Sequence, residues 1–265
     1  MTPPPACRPC RPVPWLLGLA FLLLPVAVAA EEGWQVRFEE AVYDVSWGMV
    51  PAGTGMFRAA PQEDGGLVLR AQICSTGLVD ALHPVRDQIY TRVAVEDGLR
   101  PQYHRVTQIE GGEREDTIVQ FGRDGQAYYR KGDKTKVLEV PAGIQDSLTA
   151  IYAIRRMDLE VGETYRLPLL DGDDLETLVV PVTGRTEVNG KQVLEVYPYT
   201  VEAGEREQKD EWELLLTDDE RRIPVRMKLA LSFGKLRLKL VELRSEPRET
   251  DPRRMFCDPE VRMPR

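Results

Sequence analysis

The chain has 265 residues, with 35 Lys and Arg against 43 Asp and Glu, for a formal net charge of −8. An acidic balance disfavours nucleic acid and an anionic membrane as partners, and otherwise serves solubility. The two histidines, His83 and His104, stand far apart, and no Cys-x-x-Cys occurs after residue 30, so neither a zinc site nor a redox motif is indicated.

The first thirty residues fall into three zones. Arg8 and Arg11 give a positive start, an apolar run extends from Trp15 to Ala30 with only Gly18 and Pro25 to break it, and the run closes on Ala27-Val28-Ala29-Ala30 before Glu31 and Glu32. This is the pattern of a cleavable secretory signal peptide. A spanning helix wants ~20 apolar residues, and this run is shorter. The mature protein is therefore expected to begin near Glu31, in the periplasm, and not to be integral to the membrane once cleaved near Ala30. Cys7 and Cys10 lie far upstream of the cleavage point and offer no lipidation site. The leader takes Arg8 and Arg11 with it and no acid, which leaves 33 basic against 43 acidic residues, a net of −10. Cys74 and Cys257 remain. In an oxidising compartment they are a candidate disulfide, with two separate thiols as the alternative.

From Trp34 to Arg244 the dominant signal is alternation with period two, cut by Gly, Asp and Asn. Val36, Phe38 and Val42 share one phase while Tyr43, Val45 and Trp47 share the other, so a bulge is expected around Glu39-Glu40. Trp47-Gly48 and Pro51-Ala52-Gly53 read as a tight turn between strands, with Trp47 anchored in the core. The sets Leu67/Leu69/Ala71/Ile73, Ile89/Thr91/Val93/Val95 and Thr117/Val119/Phe121 alternate cleanly. Val225 to Leu231 leads through Phe233-Gly234 into Leu236, Leu238 and Leu240, a hairpin with one dry face and one wet face. Asn189-Gly190 is a strong hairpin tip, since both positions accept positive φ. Asp97-Gly98, Gly111-Gly112, Asp124-Gly125, Gly132-Asp133 and Asp171-Gly172 punctuate other pairs. The expectation is roughly a dozen strands in a large curved antiparallel sheet, open or partly closed like a barrel.

One segment breaks the rhythm. Asp146 can cap a helix through Arg156 in which Leu148, Ile151 and Tyr152 share a face, with Arg155-Arg156 favourably placed at its C-terminus. The domain plan is a signal peptide over 1–30, one antiparallel β domain over 31–244, and an irregular Pro/Arg-rich tail over 245–265.

The chemistry-bearing residues are sparse. No Ser lies in a Gly-x-Ser-x-Gly elbow, although a Ser-His-Asp triad assembled from distant positions is not thereby ruled out. Asp171-Gly172-Asp173-Asp174 lacks the later glycine and glutamate of a calcium loop and reads as a hairpin tip. Asp218-Asp219 before Arg221-Arg222 reads as a turn in which an Asp oxygen accepts backbone N–H groups. Gly48, Gly53 and Gly55 lack phosphate-loop spacing. No cofactor is indicated. Tyr128, Tyr197 and Tyr199 are the candidates for lining an apolar groove, against a core role as aromatic strand residues.

In order along the chain, Tyr43, Trp47-Gly48, Ala52-Gly53, Pro101 and Tyr103, then Asp146-Ser147-Leu148-Thr149-Ala150-Ile151-Tyr152 with Arg155, then Trp212, Asp218-Asp219, Arg222-Ile223-Pro224-Val225 and Phe233-Gly234 resemble an exported bacterial family, domain of unknown function 3108. The resemblance spans about Phe38 to Leu243. It implies a β-rich fold and an envelope location, and it brings no catalytic residues.

Three functions compete. A non-catalytic binder or carrier of a lipid or other apolar ligand predicts a concave apolar cavity. A structural or interaction protein of the envelope, contacting another envelope protein, predicts a filled core and an exposed apolar patch. A hydrolase predicts convergent polar groups in a cleft.

Overall fold

The computed structural model describes residues 37–95, 98–202, 212–231 and 234–247. The leader and its cleavage point, Asp97, Phe233 and the tail from residue 248 onward, including Cys257, lie outside the described residues.

Eight antiparallel strands open the fold as a meander: β1 (Glu39–Trp47), β2 (Val50–Pro61), β3 (Leu67–Ser75), β4 (Arg86–Val95), β5 (Leu99–Glu110), β6 (Glu113–Phe121), β7 (Gln126–Lys131) and β8 (Lys134–Glu139). A six-residue helix, α1 (Gly77–Leu82), interrupts it after β3. The chain then crosses over through β9 (Gln145–Asp146) and α2 (Ser147–Arg156) to the far edge. It returns through β10 (Thr164–Asp171), β11 (Asp174–Val188), β12 (Lys191–Val196), β13 (Tyr199–Glu202), β14 (Glu213–Thr217), β15 (Pro224–Leu231) and β16 (Gly234–Arg244). β16 pairs with β1, so the two halves join at the middle of one sheet whose path ends at β8 and β9. Among the described residues the single parallel pair is the short one between β9 and β10. The fold is mainly β, antiparallel and open, as the alternation indicates, with sixteen strands among the described residues rather than a dozen.

Local chemistry explains the turns and the curvature. Asn189 and Gly190 both hold positive φ, 52° and 77°, at the β11–β12 tip. At Gly53 an added Cβ would stand 1.9 Å from the Cys74 carbonyl oxygen, so only glycine lets β2 and β3 approach here. The bulge expected in β1 around Glu39-Glu40 is not found there: Ala41, Tyr43 and Val45 are all buried in one unbroken phase. The irregularity against β1 belongs to β16, where Val42 pairs with Glu242 and Tyr43 with Leu240, so that Val241 is the extra residue.

The inward residues of β1, β11, β12, β14, β15 and β16 form one core with α2: Tyr43, Val45, Val180, Val182, Leu194, Leu216, Met227 and Leu238 pack with Ala150 and Ile154. A smaller cluster under β6 and β7 gathers Val119, Phe121 and Tyr129 around Ile144 and Leu170. Trp47 departs from expectation. It shares the inward phase of Tyr43 and Val45 but is the last residue of β1, where the strand emerges at the end of the sheet, and it is 46 % exposed. Helix α1 was not legible in sequence. It spans six residues and buries none, too short to show a helical period.

Candidate functional site: an apolar cavity beside the central helix

Helix α2 is fixed at both ends by buried polar groups. At its start Asp146 accepts from Leu148 N at 2.9 Å and Thr149 N at 3.0 Å, satisfying two orphan donors. The same carboxylate lies 3.1 Å from His104 Nδ1 on β5, and Thr91 Oγ1 on β4 sits 3.2 Å from it and 2.8 Å from that Nδ1. Burial alone would push Asp146 up. The His104 imidazole and the Thr149 hydrogen bonds outweigh it and hold the carboxyl below its ordinary value.

At the other end Arg155, only 3 % exposed, forms a two-pronged pair with Glu39 of β1 at 2.8 Å on each nitrogen. Its Nε and Nη2 also reach the Arg221 carbonyl at 3.3 and 3.1 Å. Arg222 donates to the Met157 and Arg155 carbonyls, covering the helix C-terminus. The turn that presents these arginines is the one expected at Asp218-Asp219: Asp219 Oδ1 accepts from Arg221 N and Arg222 N, each at 3.0 Å, and Asp218 pairs with Arg185.

Between this helix and the concave face lies a cavity of about 640 Å³. Leu148, Ala150, Ile151 and Ile154 of α2 face it from one side. From the sheet come Val45, Phe57, Ala71, Ile73, Ile89, Val106, Leu178, Leu214, Met227, Leu229 and Leu236. Polar groups also line it, Gln72, Ser75, Asp87, Gln108 and Glu110 from β3, β4 and β5 and Asp171, Glu213 and Lys228 from β10, β14 and β15, with His83 and Trp47 at the rim. Burial, then the charge of Glu110, pushes Asp87 up to about 6, although the Ile109 N–H bonded to it at 3.2 Å pulls the other way. The indole Nε1 of Trp212, a cavity residue, is buried and has no hydrogen-bond partner among the described residues.

The candidate groove tyrosines are not brought together, and none of them lines this cavity. Tyr128 faces outward, 44 % exposed, beside Tyr103 and Val137, while its neighbour Tyr129 points into the core. Tyr197 lies in a polar surface hollow with Glu195 and Arg226. Tyr199 opens β13 opposite Val179, and it is Pro198, in the break between β12 and β13, that reaches the cavity. Cys74, at the end of β3, also lines it. What the alternation did offer was a misfit: Asp87 and Gln108 occupy the inward phase of Ile89 and Val106, polar residues where a filled core would want apolar ones.

The buried histidine does not form a catalytic triad with its neighbours. Thr91 and Asp146 both address Nδ1, whereas a triad needs the nucleophile on one ring nitrogen and the acid on the other. Ser75 bonds Asp80 and Arg86 instead. Among the described residues no three His, Cys, Asp or Glu gather as a metal site, and no helix is long and apolar enough to cross a membrane. The acidic tip Asp171–Asp174 is tied down by Asp173, which the Lys136 and Lys134 ammonium groups pull to about 2.

A wide antiparallel sheet curled about one short helix, with an apolar cavity between them, defines a β-barrel-like class of protein. Within it the chain belongs to the DUF3108 family, described as a protein of unknown function, whose model matches residues 42–241. It is similar to a solved structure, the beta-barrel-like protein of domain of unknown function DUF1849 from Brucella abortus. That match has 14 % identity and a TM-score of 0.58, and covers 80 % of this chain and 99 % of that one. A duf1089 family protein from Pseudomonas aeruginosa matches at 12 % identity over 69 % of this chain and 87 % of that one, with a TM-score of 0.32, too low to build on. At these identities the first likeness speaks to fold alone. No curated protein matches.

Proposed function

We propose that this protein is an exported, soluble binder or carrier of an apolar, chain-like ligand, acting in the periplasm after removal of its first thirty residues. The cavity carries the reading. Its volume lies within the 300–1,000 Å³ typical of small-molecule sites. At ~24 cal/mol per Å³, an empty apolar void of that size would cost about 15 kcal/mol, as much as the whole stability of an ordinary domain. Such a space is stable when filled, and the polar rim lets water or a ligand head group complete it. Trp212 Nε1 and the rim amides are the donors available to a head group.

Native mass spectrometry of the protein purified from periplasm should show a co-purifying lipid, and a fluorescent acyl probe should bind with saturation. Ile151→Trp, which fills the cavity from a half-buried helix position, should abolish probe binding while the protein stays folded. An empty wild type that ignores the probe, or an Ile151→Trp protein that binds it normally, would overturn the proposal.

A further inference from the structure

We propose that the cavity mouth docks on the surface of an anionic lipid bilayer, so that an apolar ligand passes between membrane and cavity without crossing water. The transfer clause rests on the carrier reading; the docking surface stands on its own observations.

Two apolar tips flank the mouth. The β1–β2 turn exposes Met49 almost completely, at 95 %, with Trp47 and Val50 half exposed beside it. On α1, Leu78 and Leu82 stand four residues apart on one face and are 67 % and 77 % exposed, and the helix buries no side chain at all. The tips are neighbours, because Thr76 N, just before α1, donates to Ala52 O at 2.9 Å, just after the β1–β2 turn. They also share the cavity, with Trp47 lining it from one side and Val79 and His83 from the other. Five large exposed apolar residues around one opening are not the scatter expected of a surface in water.

Charge decides what covers them. The whole chain is acidic, but only charges within about a Debye length, ~8–10 Å, act at a surface. Gly48 N, in the apolar turn, donates to Lys235 O at 3.3 Å, which sets β16 beside that tip. The outer face of β16 then presents exposed Lys235 and Arg237 nearest the tip, Arg237 opposite Ser46, with exposed Lys239 farther along, at about 10 Å from Trp47 and opposite Asp44. Of the acids near α1, Asp80 is paired with Arg86 at 2.6 Å, and Glu110 lies 3.8 Å from the His83 ring, a cation only when protonated. Apolar tips with an indole at the rim and cations alongside are the pattern of a protein that sits in a lipid interface.

The test is sedimentation of residues 31–265 with vesicles of phosphatidylcholine alone and of phosphatidylcholine with phosphatidylglycerol. Wild type should pellet preferentially with the anionic vesicles, and high salt should erase the preference. Met49→Asp with Leu82→Asp should weaken partition about tenfold or more. Arg237→Glu with Lys239→Glu should remove the anionic preference severalfold. None of these four residues lines the cavity, so melting temperature and binding of a water-soluble acyl probe should be unchanged, which separates failed docking from failed folding. A wild type that stays in solution with both vesicles, or a Met49→Asp/Leu82→Asp protein that pellets like wild type, would overturn the proposal. So would a wild type that ignores vesicles while the tips self-associate or hold a second protein. Vesicle binding without probe binding would refute the carrier reading and leave docking standing.

Discussion

Exchange of Arg155 for methionine removes a guanidinium that is 3 % exposed and makes four hydrogen bonds, two to Glu39 and two to the Arg221 carbonyl, while lying 5.0 Å over the Tyr152 ring. Methionine keeps most of the aliphatic volume, so little of the loss comes from a void. The Glu39 carboxylate, whose side chain is only 13 % exposed, keeps just the longer contact to the half-exposed Arg221 guanidinium at 3.4 Å. Breaking a buried pair from one side costs ~3–5 kcal/mol, and the remaining Arg221 contact places this loss toward the lower end of that range. Glu39→Gln combined with Arg155→Met removes both charges and should recover a coupling of about 1–3 kcal/mol relative to the sum of the single changes. Urea unfolding at neutral pH measures both quantities. Because Arg155 ties α2 to β1, the single variant should also lose acyl-probe binding at temperatures where it is still folded. An Arg155→Met midpoint within about 1 kcal/mol of wild type would refute the claim that this pair holds the helix.

Two further outcomes follow from the same geometry and a third from the sequence. A carboxyl whose folded pKa is raised, like Asp87 at about 6, favours the fold most below its unfolded value and loses that margin as pH rises through about 6. Asp87→Asn should therefore flatten the pH profile between about 4 and 6 and gain about 1–2 kcal/mol at neutral pH, after allowance for a partly exposed group; profiles that run parallel refute it. Trp47→Ala should shift the urea midpoint by less than ~1.5 kcal/mol, as the residue is half exposed, yet weaken probe binding; a core-sized loss of ~3–5 kcal/mol contradicts the rim placement. The proposed export to an oxidising compartment predicts a Cys74–Cys257 bridge, so thiol labelling after unfolding without reductant should find neither free, and two labelled thiols per chain end the idea.

The sheet was legible because its inward face repeats every second residue, and because Asn189-Gly190 and the other glycine pairs mark the reversals. The helix was legible because Asp146 and the Leu148/Tyr152 spacing both point to it. What alternation cannot convey is which inward residues touch one another across a curved sheet. Adjacent Tyr128 and Tyr129 must take opposite faces of a strand, but alternation does not say which face is core: it is Tyr129 that is buried and Tyr128, the groove candidate, that is exposed. Trp47 fits the core phase and fails it only because β1 runs out at the mouth. The ion pair between Arg155 and Glu39 joins residues 116 apart in sequence, and no local pattern announces it.

The cavity follows from how α2 is held. Ten residues at ~1.5 Å each make a strut of only ~15 Å, too small to fill the concavity of so wide a sheet. Its residues on the open side include Ala150 and Ser147, which add little volume. Apolar contact alone would draw such a helix down until the space closed. The polar anchors prevent that, since they bind separate parts of the sheet: Asp146 reaches Thr91 and His104 on β4 and β5, and Arg155 reaches Glu39 on β1 and the turn before β15. Each anchor has hydrogen-bonding geometry that a shift of an ångström would break, leaving a buried charge unpaired. The helix is thereby kept at a fixed stand-off. The same buried polar groups that contribute least to a conventional core are the ones that keep a ligand-sized space open beneath it.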